Sequence, residues 1–340
     1  MSKRKLSRRQ QWRVDKIQSE RSERAQRRQH RAEKTLNESE LGDETIGVVI
    51  AHYGVQIDVE SKTDGSIQRC HIRANVPGLV TGDLVIFRPG NPTGVVVAQE
   101  PRKNLLERPD NRGALKPVAA NIDHMLLVIA PFPEAHPNLI DRYLVAAEVH
   151  NIRPVIVLNK IDLLSNDAND PLRVLLNTYG SLGYDVIEAS CKDEGGLTQL
   201  ADFLVDKTTV FVGQSGVGKS SLINALMPGT DTRVGALSES TQKGKHTTTT
   251  AKLFHFPNGG DLIDSPGIRE FALWHMTPDE VYSGFPEVRE HLGLCKFRDC
   301  HHQQEPGCAV RSALEGGAIT PSRWRSCQHI IHSLGDPRGR

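Results

Sequence analysis

The stretch "GQSGVGKSS" runs from Gly213 to Ser221, after the apolar run "TTVFV" and into the helix-forming "SSLINALM". Gly213, Gly218, Lys219 and Ser220 match G-x-x-x-x-G-K-[ST], the loop that wraps a phosphate chain. Its glycines let the backbone curl so that N–H groups point at the β-phosphate. Lys219 supplies a point charge to the β- and γ-phosphates, and the Ser220 hydroxyl suits Mg²⁺. Gln214, Ser215, Gly216, Val217 and Ser221 complete the predicted cradle. Strand, loop and helix in that order predict an α/β P-loop fold.

This loop lies almost two-thirds of the way along the chain, and nothing after it is suited to choosing a base. The candidate is upstream: "NKID", Asn159 to Asp162, follows the strand-like "VIVL". The Asp162 carboxylate can accept from both guanine N1–H and the exocyclic amine, which adenine cannot match, and a buried carboxylate left unpaired is costly. Asn159 would brace the loops, and Lys160 would lie along the base. "EASCK" follows, with Ser190, Cys191 and Lys192 placed as a second guanine-side loop. Downstream, "DSPG" offers Asp264 to Mg²⁺ through water and the Gly267 N–H to a γ-phosphate, 45 residues beyond Lys219. Base loops first and phosphate loops second predict a circularly permuted GTPase order, which a fold with close surface termini tolerates. Whatever follows "DSPG" is then expected to be tied to nucleotide state.

Between the phosphate loop and "DSPG" lies the polar "GALSESTQKGKHTTTTAKLFHF", read as a mobile switch loop. Thr248 and Thr249 are the candidates for closing on Mg²⁺. The residue after Gly267 is Ile268, which cannot orient water, so another group must; His246, at the head of "HTTTT", is the catalytic candidate.

A chain of 340 residues, 38% hydrophobic and 24% charged, holds two or three globular domains. No apolar run approaches the roughly 18 residues of a membrane helix, and the basic N-terminus lacks a signal-peptide core. No membrane partner and a cytoplasmic location are expected. The net charge of +1 hides segregation: residues 1–34 hold 13 Lys/Arg against 4 Asp/Glu. Residues 1–43 read as a disordered basic arm, either a solvated tail or a phosphate-neutralising RNA contact.

Short β-type runs separated by Gly, Asp, Asn and Pro turns fill residues 44–102 and predict a small β-barrel of the oligonucleotide-binding (OB) type, with a purely structural β-domain as the alternative. Residues 103–118 read as a linker. Strands then alternate with helices over 119–277, the pattern of a parallel sheet covered by helices. Residues 278–340 read as a helical, irregular domain. It contains "CKFRDCHHQQEPGC", in which Cys295, Cys300, His302 and Cys308 form a closed set for one structural Zn²⁺, with His301 as an alternative fourth ligand. Three of six cysteines crowded beside histidines suit a metal site in a reducing compartment.

The chain resembles the small ribosomal subunit biogenesis GTPase family, RsgA, through "GQSGVGKSS", "GKHTTTT", "DSPGIREF", "NKID" and the Cys/His stretch, over about residues 44–320. The resemblance implies an OB barrel, a permuted GTPase domain and a zinc domain, with GTP and GDP as ligands. It implies hydrolysis stimulated by the small (30S) ribosomal subunit during late maturation, contact with its rRNA, and the same histidine, His246, in catalysis. A monomer is expected. Four consecutive threonines after His246 leave both Thr248 and Thr249 open as the Mg²⁺ ligand. A nucleotide-gated RNA-binding module with incidental hydrolysis is the alternative function; "NKID" argues against an ATP-dependent kinase.

Overall fold

The computed structural model describes residues 41–76, 78–109, 114–165, 167, 169–228, 251–265 and 276–334. They divide between Pro101 and Arg102 into two compact units.

In the first unit, strands β1 (Thr45–His52), β2 (Gln56–Ser61), β3 (Ile67–Ile72), β4 (Leu84–Arg88) and β5 (Gly94–Gln99) pair in the order β1-β2-β3-β5-β4. A further β1–β4 pairing closes the sheet into a five-stranded barrel. Alternation along β2 buries Ile57, Val59 and Ser61, and Val49, Cys70, Val85, Phe87 and Val96 complete the interior. Gly47 is dictated by space: a Cβ there would lie 2.4 Å from Val59 Cγ1 and 2.7 Å from Phe87 Cε1.

The second unit opens where a linker is predicted, and the structure differs there. Strands β6 (Leu105–Pro109) and β7 (Leu115–Ala120) form an antiparallel hairpin that buries Leu106, Ala119 and Ala120. Its few apolar residues sit among prolines and charges, so no two-residue period marks it in the sequence.

Next come β8 (His124–Ile129), α1 (Pro137–Val149), β9 (Arg153–Asn159), α2 (Pro171–Ser181), β10 (Asp185–Ala189), α3 (Thr198–Leu204), β11 (Thr208–Val212), α4 (Lys219–Leu226), β12 (Lys252–His255) and β13 (Asp261–Asp264). The sheet order β10-β9-β8-β11-β13-β12 is parallel except for β12, which runs antiparallel to β13. β8 is buried at every position, as a strand covered on both faces must be. Phosphate-loop strand β11 lies centrally between β8 and β13, so the loop leaves the sheet at its C-terminal edge, where open α/β sheets bind ligands.

Helices α5 (Pro278–Ser283), α6 (Pro286–Arg289), α7 (Ala309–Glu315) and α8 (Pro321–Ser333) follow. Capping residues define several starts. Thr277 and Glu280 form a capping box on α5, Thr320 caps α8, Asp170 caps α2, and proline occupies the first turn of each. The C-terminal helices belong to the same compact unit as the α/β sheet, because Val145 and Ala146 of α1 are buried in one core with Val281, Phe285, Val310 and Ile330.

Candidate functional site

The phosphate loop begins where Val212 ends β11. Gly213 has φ +129°, and a Cβ on it would stand 2.3 Å from the Val128 carbonyl oxygen, so only glycine lets the loop turn away beside β8. Gln214, Ser215 and Gly216 are exposed at the tip, while Val217 is buried in the core beneath and anchors the far side. α4 starts at Lys219, and Ser220 and Ser221 fall in its first turn, where N–H groups lack intrahelical partners. Lys219 Nζ donates to the carbonyls of Gly213 (2.7 Å) and Gln214.

The residues of "NKID" reach this loop from β9. Asn159 is buried and donates from Nδ2 to the Val217 carbonyl at 2.8 Å. Lys160, at φ +60°, extends along the loop, donating from Nζ to the carbonyls of Gly216 (2.7 Å) and Phe132 (3.0 Å). Asp162 sits in the short turn Ile161–Leu163, and its Oδ2 lies 2.8 Å from Lys192 Nζ. That hydrogen bond holds the Asp162 carboxyl below the usual carboxylate range. Ser190, fully buried, folds the second loop by accepting on Oγ from the N–H groups of Lys192 (3.2 Å) and Asp193 (3.3 Å), leaving Cys191 exposed at the turn. Parallel pairing of β11 with β13 brings Asp264 to the same edge of the sheet as the phosphate loop.

The Cys/His stretch also assembles. His302 Nδ1 lies 3.5, 3.6 and 3.4 Å from the sulfurs of Cys295, Cys300 and Cys308, and the Cys295 and Cys308 sulfurs are 3.9 Å apart. Tetrahedral Zn²⁺, with Zn–S about 2.3 Å and Zn–N about 2.05 Å, calls for S···S near 3.8 Å and N···S near 3.6 Å. Three sulfurs and one imidazole at these spacings fit that ion, with no position left for a reacting molecule. Burial lowers the His302 pKa, favouring the neutral ring that ligates metal. His301 is exposed and lies outside the group.

A protein-family profile described as RsgA GTPase matches residues 99–274. A relative from Azotobacter vinelandii, "Small ribosomal subunit biogenesis GTPase RsgA", is 57% identical over 99% of both chains. One of the same description from Pseudomonas aeruginosa is 58% identical over 98% of both.

The chain belongs to the RsgA GTPase family.

Solved structures agree with RsgA membership. YjeQ from Thermotoga maritima is 32% identical, covering 86% of this chain and 100% of its own, with a TM-score of 0.71. YloQ, described as a circularly permuted GTPase, is 30% identical, covering 90% and 100%, with a TM-score of 0.69. Barrel, permuted α/β sheet and Cys/His helical part thus follow the predicted fold class.

Of the predicted site residues, His246, Thr248, Thr249 and Gly267 lie outside the described residues, as does most of the basic arm. The others gather at the phosphate-loop edge of the sheet and in the Cys/His cluster. Sequence reasoning misses the carbonyls of Phe132 and Val217, because any residue supplies a carbonyl. It also misses Glu305, which accepts from the N–H groups of His301 (3.0 Å), Gln303 (2.8 Å) and Gln304 (3.0 Å) and so shapes the metal loop. Its own backbone N–H first, and then those bonds, bring its carboxyl down to about 2.

Proposed function

We propose that the protein hydrolyses GTP to GDP in late maturation of the small ribosomal subunit, with the subunit stimulating turnover. The observation that carries this reading is the pair of bonds from Asn159 and Lys160 to Val217 and Gly216, which lock a guanine-type loop onto a phosphate loop. Asp162 selects guanine, the Ser190–Lys192 turn presents N–H groups to the guanine carbonyl, and residues Gly213–Ser221 hold the phosphates with the Gly267 N–H.

Ser220 and Asp264 are hard oxygen donors on one sheet edge, the chemistry Mg²⁺ requires, and Thr248 or Thr249 joins them. Mg²⁺ neutralises charge on the phosphates when bound. His246 aligns or deprotonates the attacking water, with its benefit depending on being held in place. One Zn²⁺ on Cys295, Cys300, His302 and Cys308 is structural.

The exposed Tyr53, with the Arg69 guanidinium 4.5 Å from its ring centroid, gives the barrel a stacking platform of the kind RNA bases use. The 13 cations of residues 1–34 add phosphate contacts. Among the described residues no helix is long and apolar enough to cross a membrane. We place the protein in the cytoplasm as a monomer.

The test is GTP turnover with and without purified small subunits. Stimulation by the subunit that His246→Ala loses while retaining GTP affinity is expected. Equal rates with and without subunits would overturn the reading.

A further inference from the structure

Asp141 and Arg323 are 1% and 3% exposed, the one in α1 and the other in α8, and they meet through Arg323 Nη1 and Asp141 Oδ1. Arg323 also grips Glu287 of α6 bidentately, Nε to Oε1 at 2.7 Å and Nη2 to Oε2 at 3.2 Å. The Tyr179 hydroxyl of α2 donates to the same Asp141 oxygen at 2.6 Å, and the guanidinium lies 4.4 Å from the Phe285 ring centroid. Taking such charges out of water costs several kcal/mol per ion, and apolar residues of the same volume often stabilise as well. Bulk stability therefore does not explain this cluster. Its distinctive property is directional: a planar guanidinium with two fixed carboxylates accepts one seating of α8 on α1.

α1 is a wall shared by two sites. It packs on β8 and β9, and β9 delivers Asn159 and the turn holding Asp162. Its other side meets the C-terminal helices so closely that a Cβ on Gly284 would stand 2.7 Å from Val145 Cγ1. Arg142 Nη2 donates to Ser333 Oγ at 2.6 Å, and Glu148 pairs with Arg289 at 3.0 Å. From Arg323 the contacts continue to the Cys/His cluster. The adjacent Trp324 stacks on Tyr282 at 6.0 Å, and the Tyr282 ring meets His302 edge-on at 5.0 Å. The Tyr282 hydroxyl donates to the His301 carbonyl at 3.1 Å and accepts from Gln328 Nε2 at 3.2 Å.

We propose that Asp141 and Arg323 are positioning residues for guanine recognition, a buried clamp that links metal occupancy of the Cys295, Cys300, His302 and Cys308 cluster to nucleotide affinity at Asp162. With metal bound, His302 and Tyr282 hold α8, Arg323 holds α1, and α1 holds the strand that presents the base-side loop. Loosening the cluster releases α1 and widens the distribution of Asp162 positions, which weakens binding without changing base preference. The inference rests on the guanine-nucleotide reading above.

The experiment measures GDP affinity of the full-length protein, zinc-loaded and zinc-stripped, and zinc affinity by chelator competition with and without saturating GDP. Because linkage is reciprocal, zinc should tighten GDP and GDP should tighten zinc by the same factor, roughly tenfold. Asp141→Leu with Tyr179→Phe removes the clamp while leaving the Arg323–Glu287 pair charge-balanced. This variant should retain one zinc and lose the linkage, to within about twofold of none. Asp141→Asn keeps an acceptor for Arg323 and should retain most of it. A merely structural role would lower melting temperature and leave the linkage factor intact. Equal GDP affinity in zinc-loaded and zinc-stripped wild-type protein, or full linkage in the double variant, overturns the clamp. Failure of zinc-loaded wild-type protein to bind GDP at all overturns the nucleotide reading and the clamp with it.

Discussion

Asn159 Nδ2 donates to the backbone oxygen of Val217 at 2.8 Å, across 58 residues of sequence. One amide thereby fastens the end of β9 to the middle of the phosphate loop, and the space around it is filled. A Cβ on Gly218, at φ +97°, would lie 2.3 Å from that same nitrogen. Gly218→Ala should therefore displace Asn159 as well as strain the turn. A loss of at least 1.4 kcal/mol would be a tenfold or greater fall in GDP affinity. Titration calorimetry showing wild-type affinity would mean that the fastening is dispensable.

Asp162→Asn should relax or invert the preference for guanine, since the amide presents a donor where the purine N1–H and amine arrive. The change expected is about two orders of magnitude or more in the GTP-to-ATP affinity ratio. The lost charge also frees Lys192, whose ammonium lies 2.8 Å from the carboxylate. Competition binding with GTP, XTP and ATP measures this, and an unchanged ratio rejects Asp162 as the selecting group.

Thiol reactivity should separate the cysteines outside the metal cluster. Burial pushes the Cys70 and Cys327 thiols up to about 12, so at neutral pH neither forms appreciable thiolate or meets reagent. Cys191 is exposed in the loop after β10 that the proposed function puts beside the base, although partial burial raises its pKa as well. Iodoacetamide on zinc-loaded protein should label Cys191 first, faster as pH rises, and GDP should protect it. Peptide mass spectrometry finding Cys70 modified at a comparable rate, or no protection, contradicts the placement of that loop.

Cys300→Ser should lose most bound zinc and loosen the C-terminal helices, because metal binding and folding are coupled. The Cys295, Cys300 and Cys308 side chains also pack against or within the core of those helices, so disorder is expected to spread beyond the loop. Elemental analysis returning one zinc per variant chain rejects Cys300 as a ligand.

Sequence alone carried the chemistry that depends on residue type at short range. The G-x-x-x-x-G-K spacing of Gly213, Gly218 and Lys219, the "NKID" Asp162 and the Cys/His spacing pointed to phosphate, guanine and metal as expectations without reference to neighbours, whereas what leaves no room for a Cβ at the two glycines, the Val128 carbonyl and the Asn159 amide, comes from the fold. The order of these motifs also implied permutation, since order is itself a property of sequence. Barrel strands were legible where one face is buried, as in β2, because burial on one side imposes a period of two. Only the tertiary structure decided what lies beside what. The β6–β7 hairpin has too few apolar residues to show a period, α3 is only seven residues long, and the carbonyls of Phe132 and Val217 carry no side-chain signature. The clearest case is Arg323, a basic residue in a polar C-terminal helix, whose partner Asp141 lies 182 positions earlier. A charge so placed reads as solvated until packing of α8 on α1 removes the water around it. Burial of that kind belongs to the assembled fold, and no local window of sequence contains it.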